Sequence, residues 1–291
     1  MSSIYLIEDS LGTLAIDSSP FVKVGYEIGS RAPREVVRLR ALADGAIDDT
    51  RYVGGRAVTL TVRLNEATGC DDDGPDMQDL YDMILPYIHP RYRPTLRWTL
   101  PRSGSEREMT VRGVSAPVLI EGPKHPVLVV SFVAADGTIT SPDEECLTVS
   151  PSSDDEPGRS YDLSFDRTYP ASLGPGARIL TQTGNDYAHW RGTIFGAADT
   201  PSFRVNDTEV TFDNNGGLAL AAGQWLEIDT KAHTMLLNGV AADSRYDRTN
   251  FTEWQWEDLM LKPGENLVRF VADVLGPSGA MQFCWFPTWA G

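Results

Sequence analysis

Cysteine is scarce in this chain. Cys70, Cys146 and Cys284 are the only three among 291 residues. Three thiols cannot all pair within one chain and none falls in a CxxC spacing. Neither a disulfide scaffold nor a zinc site is expected, and synthesis in a reducing compartment is the natural reading. Cations are also short: 25 Lys and Arg stand against 41 Asp and Glu, a formal charge of −16. Stable nucleic-acid binding needs clustered cations and is not expected, nor is adsorption to an anionic membrane. Long apolar runs are missing. The longest, Pro126 to Ala135, falls far short of the roughly 20 residues that span a bilayer, so no membrane insertion is expected. Met1 to Ser10 lacks a basic region followed by an apolar run, so no signal peptide is read there.

Catalytic signatures are missing too. No GxSxG, GxxxxGK[ST] or GxGxxG occurs. The four histidines, His89, His125, His189 and His233, form no HxH or HExxH pair and read as structural or solvent-facing. Cys284, between Phe283 and Trp285, reads as a core or interface thiol rather than a nucleophile. Asp71-Asp72-Asp73-Gly74 invites a calcium reading. An EF-hand loop there would need acids at Gly69 and Leu80, so a solvated acidic turn or a weak surface cation site remains. No enzyme activity, catalytic residue, metal or cofactor is expected. The sequons at Asn206 and Asn250 carry no meaning without a secretory route.

What is present is ordinary globular composition, 41% hydrophobic and 23% charged. At roughly 150 residues per domain the length suggests about two domains. Val58, Leu60, Val62 and Leu64 alternate with polar or small residues, as do Leu96, Trp98 and Leu100, so both stretches predict half-buried strands. The run from Val127 to Val133 predicts a strand buried on both faces. Met77, Leu80, Tyr81, Ile84, Leu85 and Ile88 form one apolar stripe at the 3.6 period, a helix near 76–88 with Asp76 as N-cap, weakened at Pro86 and ended by Pro90. Polar, proline-rich residues between Thr140 and Ser160 mark a boundary, giving domains 1–143 and 144–291. The second half predicts eight strands, 177–182, 190–195, 203–205, 209–212, 225–229, 234–237, 267–271 and 281–286, separated by Asn-Gly, Pro-Gly and Gly-Gly turns. Short strands at that spacing predict a β-sandwich.

Two clusters stand out as interaction sites. Arg31, Arg34, Arg38 and Arg40 lie within ten residues. They read as a solvated strand face, as a nucleic-acid patch lacking interleaved aromatics, or as a subunit contact facing acids such as Asp71, Asp72 and Asp73 of a neighbour. Trp254 and Trp256, flanked by Glu253 and Glu257, read as one packed strand face, as a cover over the sandwich edge, or as a sugar or partner platform. Two carboxylates beside them raise the glycosidase pattern without its spacing.

The stretch from Asp44 to Leu60, a DG turn, then Gly54-Gly55-Arg56 and an alternating strand, resembles the N-terminal domain of siphophage distal tail proteins. The helix after it and the run Val129 to Asp136, ending Ala134-Ala135-Asp136, fit the same pattern, although Gly137 stands where the family often has Pro. The ordered set Leu218 to Thr230, Met235 to Gly239, Ser244-Arg245, Trp254 and Leu261 to Phe270 resembles the galectin-like C-terminal domain of that family. The resemblance implies a mainly β protein, with an N-terminal split β-barrel-like domain carrying one helix and a C-terminal galectin-like sandwich. It implies a structural role in the virion, at the tail tip of a long-tailed phage, after synthesis in the host cytoplasm. There a six-subunit ring would join the tail tube protein to the hub protein and to fibre or receptor-binding proteins. Copies of this chain would be its main partners, and an acidic lumen would let DNA pass without sticking. A carbohydrate-binding sandwich is the alternative.

Overall fold

The computed structural model describes residues 3–17, 21–30, 33–34, 37–39, 46–48, 52–53, 55–64, 77–120, 127–150, 176–275 and 279–290. The chain divides into two compact units, one of residues 1–142 with Ala290–Gly291, the other of residues 143–289. The architecture is mainly β, with one α-helix among the described residues.

In the first unit, β1 (Ile4–Glu8), β2 (Gly12–Ala15), β3 (Phe21–Ile28), β4 (Arg56–Leu64) and helix α1 (Met77–Ile88) come first. Strands β5 (Thr95–Thr99), β6 (Glu106–Thr110), β7 (Arg112–Gly113), β8 (Val118–Ile120), β9 (Val127–Ala134) and β10 (Ile139–Thr140) follow. One antiparallel sheet runs β2-β1-β5-β6-β10, and a second runs β7-β9-β4-β3 with β8 also on β9. In the second, Val58, Leu60 and Val62 face Phe132, Val130 and Leu128 across the β4–β9 register, and all six are buried. The alternation that predicts β4 thus sets its register. Strand β9 differs from expectation. Leu128, Val130, Phe132 and Ala134 are buried, but Val127, Val129, Ser131 and Val133 are only half-buried, so the continuous apolar run covers one core face and one partly shielded face.

Helix α1 buries Ile84, Tyr87 and Ile88. Leu85, expected on the buried stripe, is exposed and Tyr87 takes its place, its hydroxyl donating to the Leu11 carbonyl at 3.1 Å. Pro86 lies within the last turn and the helix runs on to Ile88. Gly113 meets the helix end at close quarters: a Cβ there would fall 1.9 Å from the Ile88 carbonyl oxygen.

The second unit contains β11 (Glu145–Val149), β12 (Ala177–Gln182), β13 (Trp190–Phe195), β14 (Ser202–Val205), β15 (Thr208–Thr211), β16 (Trp225–Asp229), β17 (Thr234–Leu237), β18 (Gly264–Val271) and β19 (Ala280–Trp285). They form two antiparallel sheets, β11-β19-β13-β16-β17 and β12-β18-β14-β15. One core joins the inner faces of both. Trp190 of the first sheet meets Phe203 of the second edge-on at 5.7 Å and Phe283 of its own at 4.9 Å. A sandwich results because each strand alternates buried and outward residues, as in the second halves of β18 and β19.

The cysteines correct the sequence reading. Cys146 and Cys284 are directly opposite on β11 and β19 and form a disulfide. Cys284 is not a core thiol: it points outward between the buried Phe283 and Trp285. Thiol count cannot exclude a single bridge, and sheet order brings these two together across a sequence separation of 138.

Candidate functional site

The motifs that carry the family resemblance converge on backbone geometry. Gly55 enters β4 where a Cβ would fall 2.6 Å from the Ala134 carbonyl oxygen, so only glycine lets this strand approach the end of β9. Arg56, next in sequence, is 2% exposed. Its Nε donates to the Gly137 carbonyl at 2.6 Å, and its guanidinium also donates to the carbonyls of Gly29 and Ala290. Gly55-Arg56 and the Ala134-Ala135-Asp136 stretch are therefore one knot, with Arg56 opposite Ala134 in register. Asp136 Oδ1 accepts from the Thr138 amide at 3.1 Å, and Gly137 turns at φ +59°. A proline, locked near φ −65°, cannot take that conformation.

The second set of motifs is also structural. Asp229 Oδ1 accepts from the amides of Lys231 and Ala232, both at 2.8 Å, which makes an Asx turn. The buried Thr230 hydroxyl accepts from the Trp190 amide and donates to the Trp190 carbonyl, each at 2.9 Å. Asn238 and Gly239 adopt φ of 51° and 68°, the positive pair that a tight hairpin needs. Asn266, fully buried, donates to the carbonyls of Lys262 and Gly264 and accepts from the Lys262 amide, which closes the Pro263-Gly264 turn.

The tryptophan pair lies on no strand. Trp254 is 4% exposed and its Nε1 donates to Asn250 Oδ1 at 3.1 Å. Trp256 opens a single 3-10 turn, Trp256–Leu259. Its ring stacks on His233 at 5.2 Å and on Tyr246 at 5.6 Å, and meets Trp254 edge-on at 5.3 Å. These rings staple the 233–256 region to the core, so Trp254 and Trp256 are not a free-standing pair. Phe251, exposed, flanks this cluster at 5.7 Å from Tyr246, and two further exposed aromatics, Phe195 and Trp225, are cross-strand partners on the outer face of β13 and β16. Nothing in the local sequence separates these two from core aromatics except the register of their strands.

Near Asp207, Glu209, Asp213, Asn250 and Glu253 lies an open polar groove of about 740 Å³. Asn250 bridges it, donating to Glu253 at 2.8 Å. Among the described residues, the one group of potential metal ligands is Glu144, Cys146 and Cys284, and its two sulfurs are bonded to each other. His189 is half-buried. Burial, with Lys231 and His233 nearby, holds its imidazole below the usual range and therefore neutral.

Arg34 and Arg38 lie on two short strand pairs, Pro33–Arg34 with Tyr52–Val53 and Val37–Leu39 with Ala46–Asp48. Arg31, Arg40, Asp71, Asp72 and Asp73, and the helix N-cap expected at Asp76, lie outside the described residues. A different surface feature emerges on the first unit. Val118, Leu119 and Ile120 of β8 are all exposed, as is Val114 before them. Strand β8 pairs with β9 alone among the described residues, leaving its other edge open.

The arrangement defines a class first: a two-unit, mainly β chain whose motif residues hold turns and strand entries. No family model matches the chain, and no curated protein matches it. Among solved structures, the SPP1 Dit (gp 19.1) protein, a paradigm of the hub adsorption apparatus in phages infecting Gram-positive bacteria, shares the fold with a TM-score of 0.61. Identity is 11%, over 98% of each chain. The phage P2 baseplate in its activated conformation aligns more loosely, with TM-scores of 0.42 with Ca and 0.39 with Sr, at 9% and 8% identity over 98% of each chain. No helix among the described residues is long and apolar enough to cross a membrane.

Proposed function

We propose that this chain is a distal tail protein of a long-tailed phage, a structural part of the virion that forms a hexameric ring at the tail tip. In this reading the ring joins the tail tube to the hub and to fibre or receptor-binding proteins. One observation carries it: the fold of the SPP1 hub protein runs through both units, over 98% of each chain. The first unit is assigned the ring. Its open, apolar β8 edge is the kind of surface that water disfavours and that a neighbouring subunit covers. The second unit is assigned the outward role. Assembly and geometry, rather than bond chemistry, are then the protein's work, and no cofactor is needed. The alternative of a sugar-binding sandwich loses the platform expected at Trp254 and Trp256, because Trp254 is buried and Trp256 is stacked on two rings.

The test is imaging of the phage particle that carries this chain, with the protein located by labelled antibody. A six-fold ring at the distal end of the tail tube is expected. Absence from the tail tip, or a single copy there, would overturn the proposal. In the same particles, Val118→Asp with Ile120→Asp is expected to abolish the ring while the purified variant keeps its β circular dichroism.

A further inference from the structure

Strand β11 is the first strand of the second unit, five residues long and, among the described residues, hydrogen-bonded at one edge to β19 alone. Its anchoring is slight: Val149 is buried and Leu147 partly so. Two further ties hold it. Cys146, exposed, is bonded to Cys284, partly exposed, on the outward face. Glu144, just before β11, pairs at 2.5 Å with Arg191 of β13, which lies beside Cys284 in the β13–β19 register. The ion pair thus passes over β19, and a Glu144 carboxylate oxygen lies within 4.8 Å of both sulfurs. A strand with one neighbour, little buried surface and a covalent tie open to solvent has its hold set by the state of that tie.

We propose that Cys146 and Cys284 form a redox clasp that locks β11 onto its sheet when oxidised and lets it fray when reduced. The inference stands on the second unit alone and does not depend on a role in a phage tail. Closure is thiol–disulfide exchange with an oxidised small-molecule disulfide such as glutathione disulfide. One cysteine thiolate attacks a sulfur of that disulfide, forming a mixed disulfide and expelling one thiolate. The second cysteine thiolate then attacks the protein-bound sulfur, forming the Cys146–Cys284 bond and expelling the other. Two electrons pass from the cysteines to the small disulfide, and the expelled thiolates take up the two protons that the cysteines lost. Excess reduced thiol reverses both steps. The clasp is therefore open in a reducing compartment and closes outside it.

The test uses the full chain with Cys70→Ser, which removes the third thiol. The protein is equilibrated in oxidised or reduced glutathione, and alkylation mass shift and amide exchange are read. Oxidised protein is expected to show no free thiol, and reduced protein two. Amides of 145–149 should exchange at least about tenfold faster on reduction, with 225–237 unchanged. The melting temperature should fall by roughly 5–10 °C. Cys146→Ser with Cys284→Ser should behave as reduced in either buffer; if that variant does not fold, the reagent arm alone decides. Two free thiols in the oxidised buffer, equal exchange in both states, or loss of protection across the whole unit on reduction would each overturn the clasp.

Discussion

The two units solve the same packing problem with different materials. The first unit fills its sheets largely with aliphatic residues, such as Ile4, Leu6, Val58, Leu60, Leu128 and Val130, and places one buried cation, Arg56, among backbone carbonyls. The second packs rings against rings, with Trp190, Phe203, Phe270 and Phe283 all at 1% exposure or less, and ties its turns with neutral polar groups, Thr230 and Asn266. Charge divides as unevenly. Residues 1–142 hold 15 of the 25 Lys and Arg and 19 of the 41 Asp and Glu, a formal −4, which leaves −12 on the rest. A nearly balanced unit with an apolar edge suits packing against copies of itself, and a strongly acidic one resists it. Under the proposed function this weakens the idea of an acidic lumen built by the ring-forming unit, because most of the surplus lies in the other unit.

The largest expected effect comes from the aromatic core. Trp190 is 1% exposed, contacts Phe203 and Phe283, and donates from Nε1 to the Leu259 carbonyl at 2.6 Å. Trp190→Ala should cost about 3–5 kcal/mol in urea unfolding. Amide protection should be lost in the second unit and kept in strands β4 and β9 of the first. Joint loss in both units would break the comparison, because it would mean one cooperative core rather than two.

Arg56→Met is the matching experiment on the first unit, with a smaller effect. The methionine fills much of the volume but gives no donor to the carbonyls of Gly137, Gly29 and Ala290. A cost of about 1–3 kcal/mol is expected. It should appear as faster amide exchange in β4 and β9 with the second unit unaffected. No measurable change would show that these carbonyls find water as good a partner, and that the knot is not where the first unit is held.

Local signals were legible in the sequence and long-range pairings were not. The eight strands of the second half fall within a few residues of expectation because each carries its own alternation and its own turn. Trp225–Asp229 and Thr234–Leu237 show this, bounded by the Asp229-Thr230 and Asn238-Gly239 turns. Helix α1 was legible from its period, but the side occupied by Tyr87 rather than Leu85 depends on what the helix rests against. The Cys146–Cys284 bridge was misread because nothing near either residue states that β11 lies beside β19. Trp254 and Trp256 do not share a strand face because the chain turns between them: Trp254 precedes the 3-10 turn that Trp256 opens, and the i, i+2 spacing alone does not tell an extended segment from a turning one. Arg56 was visible as part of a motif, while its role as donor to three carbonyls required the folded chain.

The smallest predicted effect tests whether the second unit's acidic charge or its half-buried imidazole, His189, governs its response to pH. His189 is held below the usual imidazole range, first by burial and then by the charges of Lys231 and His233. The unfolded chain takes up a proton near the usual value of about 6.5 and the folded one resists it. The unfolded state therefore binds more protons in that window, and stability is full above it and falls as pH falls through it. The urea midpoint of the second unit should drop between about pH 7.5 and about pH 5.5, a range that brackets the imidazole and stays above most carboxylates. His189→Gln, which cannot take the proton, should flatten that drop while changing the midpoint at the higher pH little. Equal drops in both proteins would assign the pH response to other groups and leave the acidic surface as the better account.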